Sequence, residues 1–180
     1  MAKYFIKSKR LGIRTWTKDD LRLAIELWGN FAVTKFFDKR GALSKKQVNT
    51  RLLKEIRTQQ KHGIQYWPIF SAETDDHIGC AGLRPYDLPN QILEIGFHIK
   101  PEYWRQGYAS EAAICVMAYA FKNLGATALF AGHNPENVAS KKILARLGFR
   151  YTHDEYYEPT GLYHPSYLMT AGEHSAIYNE

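Results

Sequence analysis

The segment EIGFHIKPEYWRQGYASEA, Glu94 to Ala112, holds residues of several chemistries in one short run. Glu94 stands inside the otherwise apolar stretch ILEIGFHIK. Burial there would raise a carboxyl pKa towards the range in which it takes a proton from an amine. A carboxylate so placed serves equally well to position an amine or to bind a neighbouring backbone group. His98 shares the alternation parity of Glu94, and its near-neutral intrinsic pKa makes it a second candidate base. It fits as well as a hydrogen-bonded structural histidine.

Ten residues of that segment, YWRQGYASEA, stand at the start of a helical run. A helix N-terminus leaves its first N–H groups without internal partners and carries about half a positive charge. Gly107 lets the backbone approach a ligand, and the small Ala109 and Ser110 keep the first turn open. These are the requirements of a pyrophosphate cradle, and equally those of a plain strand-to-helix turn. Neither a Walker Gly-Lys-Ser/Thr nor the glycines of a dinucleotide fingerprint is present.

The elements that must position these groups follow from patterning. Arg10–Thr15 reads as a strand, followed by a helix capped by Thr17 with Leu21, Ile25 and Trp28 on one face. Ser44 and Gln47 form a capping box for a second helix that stops at Gly63. From Ile64 the runs IQYWPIFSA, HIGCAGLRP and ILEIGFHIK predict consecutive antiparallel strands. The cradle helix ends near Gly125, ATALFAGHN is a strand, and NVASKKILARLGF is a helix ended by Gly148. Two further strands fill Phe149–Met169. This order predicts one α+β domain over residues 1–180 rather than a doubly wound fold.

Composition agrees with a globular chain: 180 residues, 45% apolar, 23% charged and a net charge of +6, which favours anionic ligands. No run is long and apolar enough to cross a bilayer, and the basic start lacks a secretory pattern, so a cytoplasmic location is expected. Cys80 and Cys115 lie far apart without zinc-like spacing, which predicts two buried thiols and no metal. No nucleic-acid motif accompanies the basic charge.

A second motif, NPENVASKKILARLGF, lies one strand beyond the cradle helix. With EIGFHIKPEYWRQGYASEA, through Asn137, Ser140, Leu144, Leu147, Gly148 and Phe149, it resembles the GNAT superfamily of N-acetyltransferases. The details look most like the ribosomal-protein N-terminal acetyltransferase subgroup. One departure stands out: Trp104 occupies the position where the general signature has Arg or Gln.

The resemblance implies a mixed, mostly antiparallel sheet with helices on both faces and a splayed pair of parallel strands that admits acetyl-CoA. Phe97 and Ile99 would offer backbone groups to pantetheine. Arg105, Gln106, Gly107, Tyr108, Ala109 and Ser110 would surround the pyrophosphate, and Asn137 would bond the cofactor arm while also capping its helix. A primary amine, on a protein N-terminus or a small molecule, would attack the thioester directly. Glu94 would be the base, a backbone N–H near Phe97–Ile99 would hold the oxyanion, and Ser140 would donate to the departing sulfur in place of the usual tyrosine, here Leu144. A monomer or homodimer is expected. The competing reading is a non-catalytic acyl-CoA-binding regulatory module.

Overall fold

The computed structural model describes residues 4–178. Eight strands form one sheet in the order β1-β2-β3-β4-β5-β6-β8-β7. They are β1 (Ile6–Lys7), β2 (Leu11–Ile13), β3 (Tyr66–Ser71), β4 (His77–Asp87), β5 (Ile92–Ile99), β6 (Ala128–Gly132), β7 (Arg150–Tyr157) and β8 (Leu162–Thr170). Every neighbouring pair is antiparallel except β5 and β6. The α+β sheet read from the sequence, with its parallel pair, is the fold observed.

Helices cover both faces because alternate strand residues are apolar on both. On one face α4 (Tyr108–Asn123) and α5 (Val138–Leu147) pack on Trp67, Leu83, Leu93, Ile95 and Leu129. The inward stripe of α4 is Ala112, Ala113, Val116, Met117 and Ala120, small enough to bring the helix close to the strands. On the other face α1 (Leu21–Trp28), α2 (Phe31–Thr34) and α3 (Lys45–His62) gather Trp16, Trp28, Leu52, Tyr66 and Cys80 into a second core.

Ser44 and Gln47 cap α3 reciprocally, and Gly63 ends it at a φ of 72°. Other local expectations are corrected. Thr17 caps a 3-10 turn, Lys18–Asp20, that leads into α1. The two-residue β1 is too short for periodicity to show it. The single-turn α2 starts at Asn30, whose side chain accepts from Ala32 N–H, and it too lacks a periodic stripe. A last helix, α6 (Ala171–Tyr178), follows the final strand, started by reciprocal bonds between Thr170 and Glu173. Cys80 is buried as expected, whereas Cys115 is half-buried on α4.

Candidate active site

The parallel strands separate soon after they meet. β5 and β6 pair at Ile92–Ala128, Leu93–Leu129 and Glu94–Phe130, and β5 then runs on to Ile99 paired with β4 but not with β6. Thr127 N–H bonds Gln91 O on the β6 side, and Lys100 N–H bonds Ile78 O on the β4 side. Strand alternation therefore turns the backbone groups of Ile95, Phe97 and Ile99 into the gap. Trp104 Nε1 donates to Ile99 O at 2.7 Å, which leaves the Ile99 N–H and both Phe97 groups facing the opening.

A cleft of about 990 Å³ occupies this gap. Its floor is the turn into α4, where Arg105 and Gly107 both have left-handed backbone, with φ values of 60° and 80°. A residue with a Cβ rarely holds that conformation, and Gly107 serves as the N-cap of α4. Arg10, from the loop before β2, fixes the turn from below: Nη1 donates to Gln106 O at 3.0 Å and Nε to Glu111 Oε2 at 2.7 Å. Its guanidinium also lies 4.5 Å over the Tyr108 ring. The side chain at Trp104, the departure from the expected signature, thus anchors the turn to the end of β5.

Arg105, Gly107, Tyr108, Ala109 and Ser110 line the cleft. Gln106 is exposed, and its side-chain amide turns back to Glu102 O at 2.9 Å. Across the opening, Asn137 caps α5 by accepting from Ser140 N–H at 3.1 Å, which leaves its NH₂ group free of the cap. Asn137 and Ser140 both border the cleft, on the first turn of α5, and Leu144 follows one turn later as part of the core.

Glu94 borders the same cleft from β5. Its surroundings correct the picture of a carboxylate isolated among apolar side chains: Tyr66 Oη donates to Glu94 Oε1 at 2.8 Å. The Arg84 guanidinium lies 4.0 Å above the Tyr66 ring and is paired with the buried Glu55. Burial, and then the nearby Glu94 charge, push the Tyr66 hydroxyl well above its ordinary pKa, so Tyr66 remains a donor.

Tyr66 reaches Glu94 across an intervening strand. The register sets Tyr66 opposite Gly82 on β4, and Gly82 opposite Gly96 on β5. A Cβ at Gly96 would fall 2.2 Å from Tyr66 Oη, so the glycine makes room for the phenol. The sequence signal for this contact was the pair of glycines, Gly82 and Gly96, in register with Tyr66.

His98, two residues beyond Gly96, is enclosed. It stacks on Phe37 at 4.4 Å, and Trp28 Nε1 donates to its Nδ1 at 3.2 Å. That bond places the ring proton on Nε2. Burial, and then the Arg51 and Arg84 charges, hold the imidazole well below its ordinary pKa, so it is neutral and its lone pair is engaged. A bond from Lys39 N–H to Pro159 O, 3.0 Å, ties the loop after α2 to the β7–β8 turn and roofs this end of the cleft. Phe36 and Phe37 line it from the loop, and Tyr156 and Tyr157 line it from β7.

Over residues 10–150 the sequence matches the acetyltransferase (GNAT) domain. The chain belongs to the GNAT acetyltransferase family. It is 31% identical over 150 residues to the uncharacterized N-acetyltransferase YoaA of Bacillus subtilis (strain 168), covering 81% of this chain and 82% of YoaA. Its fold is shared with a GNAT-family acetyltransferase from Bacillus anthracis, at a TM-score of 0.80 and 22% identity over 93% of this chain and 99% of that one. RimL, a ribosomal L7/L12 alpha-N-protein acetyltransferase solved with coenzyme A, also has a TM-score of 0.80, with 17% identity over 95% of this chain and 99% of its own.

Membership makes this chain an acetyltransferase. Among the described residues there is no cluster of side chains suited to a metal ion, and no helix is long and apolar enough to cross a membrane.

Proposed function

We propose that residues 1–180 form one acetyltransferase domain that transfers an acetyl group from acetyl-CoA to a primary amine. The observation that carries this reading is the meeting, in one cleft, of the unpaired edge of β5, the left-handed turn at Gly107 and the Tyr66–Glu94 pair. The first two suit an extended arm ending in a pyrophosphate, and the third suits an amine.

Acetyl-CoA supplies a thioester carbonyl that the amine attacks, forming the amide and releasing a thiolate. Phe97 and Ile99 offer unpaired backbone groups to the arm, and the N–H groups of Gly107–Ser110 at the start of α4 face the pyrophosphate. Arg105 adds charge there, Gln106 contributes backbone alone, and Asn137 offers its NH₂ group to the arm. A backbone N–H at Phe97 or Ile99 holds the developing oxyanion. The Ser140 hydroxyl donates to the sulfur as charge builds there.

Glu94 takes the proton from the amine. Tyr66 occupies Oε1, so Oε2 is the oxygen presented to the acceptor. A free α-amine, with a pKa of about 8, yields its proton more readily than a lysine ammonium at about 10.4. That difference, and the shared fold with a ribosomal-protein acetyltransferase, favour α-amines as the acceptor class.

The test is incubation with acetyl-CoA labelled in its acetyl group and a panel of amines, with calorimetry of cofactor binding. Labelled amide and released thiol are expected. Absence of both binding and thiol release refutes the proposal, and tight binding without turnover on any amine supports a regulatory module instead.

A further inference from the structure

Arg51 is a charged group lining the cleft that the chemistry above leaves unused. It projects from α3 into the roofed end of the cleft, and its guanidinium lies 4.7 Å from the Trp28 ring and 4.7 Å from the Phe37 ring. Among the described residues it has no hydrogen bond or ion pair, and its Nε is fully buried.

The neighbouring charges are already engaged. Glu55 binds Arg84 and accepts from Tyr66 N–H at 2.9 Å, Glu94 accepts from Tyr66 Oη, and Asp38 is held by Arg40. Two cations line this end of the cleft without an anion among the described residues: Lys35 is exposed, with its ammonium over the Phe36 ring, whereas Arg51 holds its Nε buried. Burying an unpaired guanidinium is costly, and aromatic faces offset part of that cost without filling its planar fork of donors. The fork matches a carboxylate, which it can bind through two parallel bonds.

Arg51 and the Tyr66–Glu94 pair belong to one continuous wall. Phe37 touches Arg51 and stacks on His98, and His98 meets the Tyr66 ring edge-on at 5.6 Å. We infer that the acceptor is an amine carrying a carboxylate, with the amine at Glu94 and the carboxylate on Arg51. This inference rests on the transferase reading and adds the class of acceptor. Arg51 acts as a specificity residue.

The experiment measures kcat/KM by thiol release for α-amino acids, ω-amino acids and dipeptides, each against its carboxamide. The arms distinguish an α-carboxylate from a more distant one. The native protein should prefer at least one acid over its amide by about 10- to 100-fold, the worth of hydrogen bonds to a charged partner. Arg51→Gln should abolish that preference by raising KM for the acid while leaving the amide unchanged, and Arg51→Lys should retain part of it. Equal use of every acid and its amide by the native protein overturns the inference, as does an Arg51→Gln loss that is the same for both.

If Arg51→Gln fails to fold, the acid–amide comparison in the native protein decides alone. If no amine yields thiol, the transferase reading fails separately. Calorimetry of N-acetylamino acids against N-acetylamino amides then tests the carboxylate site without turnover: selective binding of the acids upholds it, and equal or absent binding rejects it.

Discussion

Gly96→Ala isolates the contact between Tyr66 and Glu94 without altering either side chain. The new Cβ would sit 2.2 Å from Tyr66 Oη and 2.5 Å from Cζ. Unbonded carbons rest about 3.5–4.0 Å apart, so the phenol must retreat by about 1 Å. It has little freedom to do so, being 3% exposed under the Arg84 guanidinium and beside His98. A displacement of that size carries the 2.8 Å bond to Glu94 beyond hydrogen-bonding range. Losing a bond to a charged acceptor costs about 1.5–3 kcal/mol, and kcat/KM for thiol release should fall about 10- to 100-fold. Overpacking should also lower stability by about 1–3 kcal/mol, read as a reduced Tm. The backbone of Gly96 points to β4 rather than into the gap, so acetyl-CoA affinity should stay within about threefold of the native value. Tyr66→Phe should reproduce the activity loss, and adding Gly96→Ala to it should cost little more, because both changes break one bond. Full activity in Gly96→Ala, or additive losses in the double variant, would refute the reasoning.

Other consequences follow from the same geometry. Trp104→Phe removes the indole donor to Ile99 O and should weaken acetyl-CoA binding about fivefold by calorimetry, with an unchanged Kd counting against the anchoring role. Ser140→Ala should lower kcat about tenfold while leaving cofactor affinity intact, since the backbone N–H that caps on Asn137 is retained. His77 is packed against Trp16 and Phe70, and burial, followed by the Lys100 charge, brings its pKa down to about 4. The unfolded chain then binds a proton that the folded chain excludes. Stability contributed by the neutral ring is complete above about pH 6.5 and is lost towards pH 4, at about 1.4 kcal/mol per unit. Melting curves from pH 7 to pH 5 should show a drop that His77→Phe reduces, and equal drops in both proteins would exclude His77 as the cause.

The features legible in the sequence were local ones. The Ser44–Gln47 box, the turn at Gly107 and the Asn137 cap each involve residues within one helical turn, so spacing along the chain reveals them. The β3–β4–β5 meander was equally readable, because short connections between alternating runs favour adjacent antiparallel strands. The Tyr66–Glu94 bond was hidden because it spans an intervening strand and depends on register. The neutral state of His98 depends on Trp28 from α1 and on charges from α3 and β4, contacts that periodicity does not encode. The helix α2 is too short to show a stripe, and α6, though as long as α1, has its apolar residues spread around the helix; each is set by a cap at its entry.

The central claim is that one cleft holds acetyl-CoA along β5 and α4 and deprotonates an amine at Glu94. Its most direct test is the rate of thiol release by the native protein and by Glu94→Gln, with acetyl-CoA affinity measured on both. A general base contributes about 10²- to 10⁴-fold. The account predicts a loss of turnover in that range with cofactor affinity unchanged; native turnover in Glu94→Gln would contradict it.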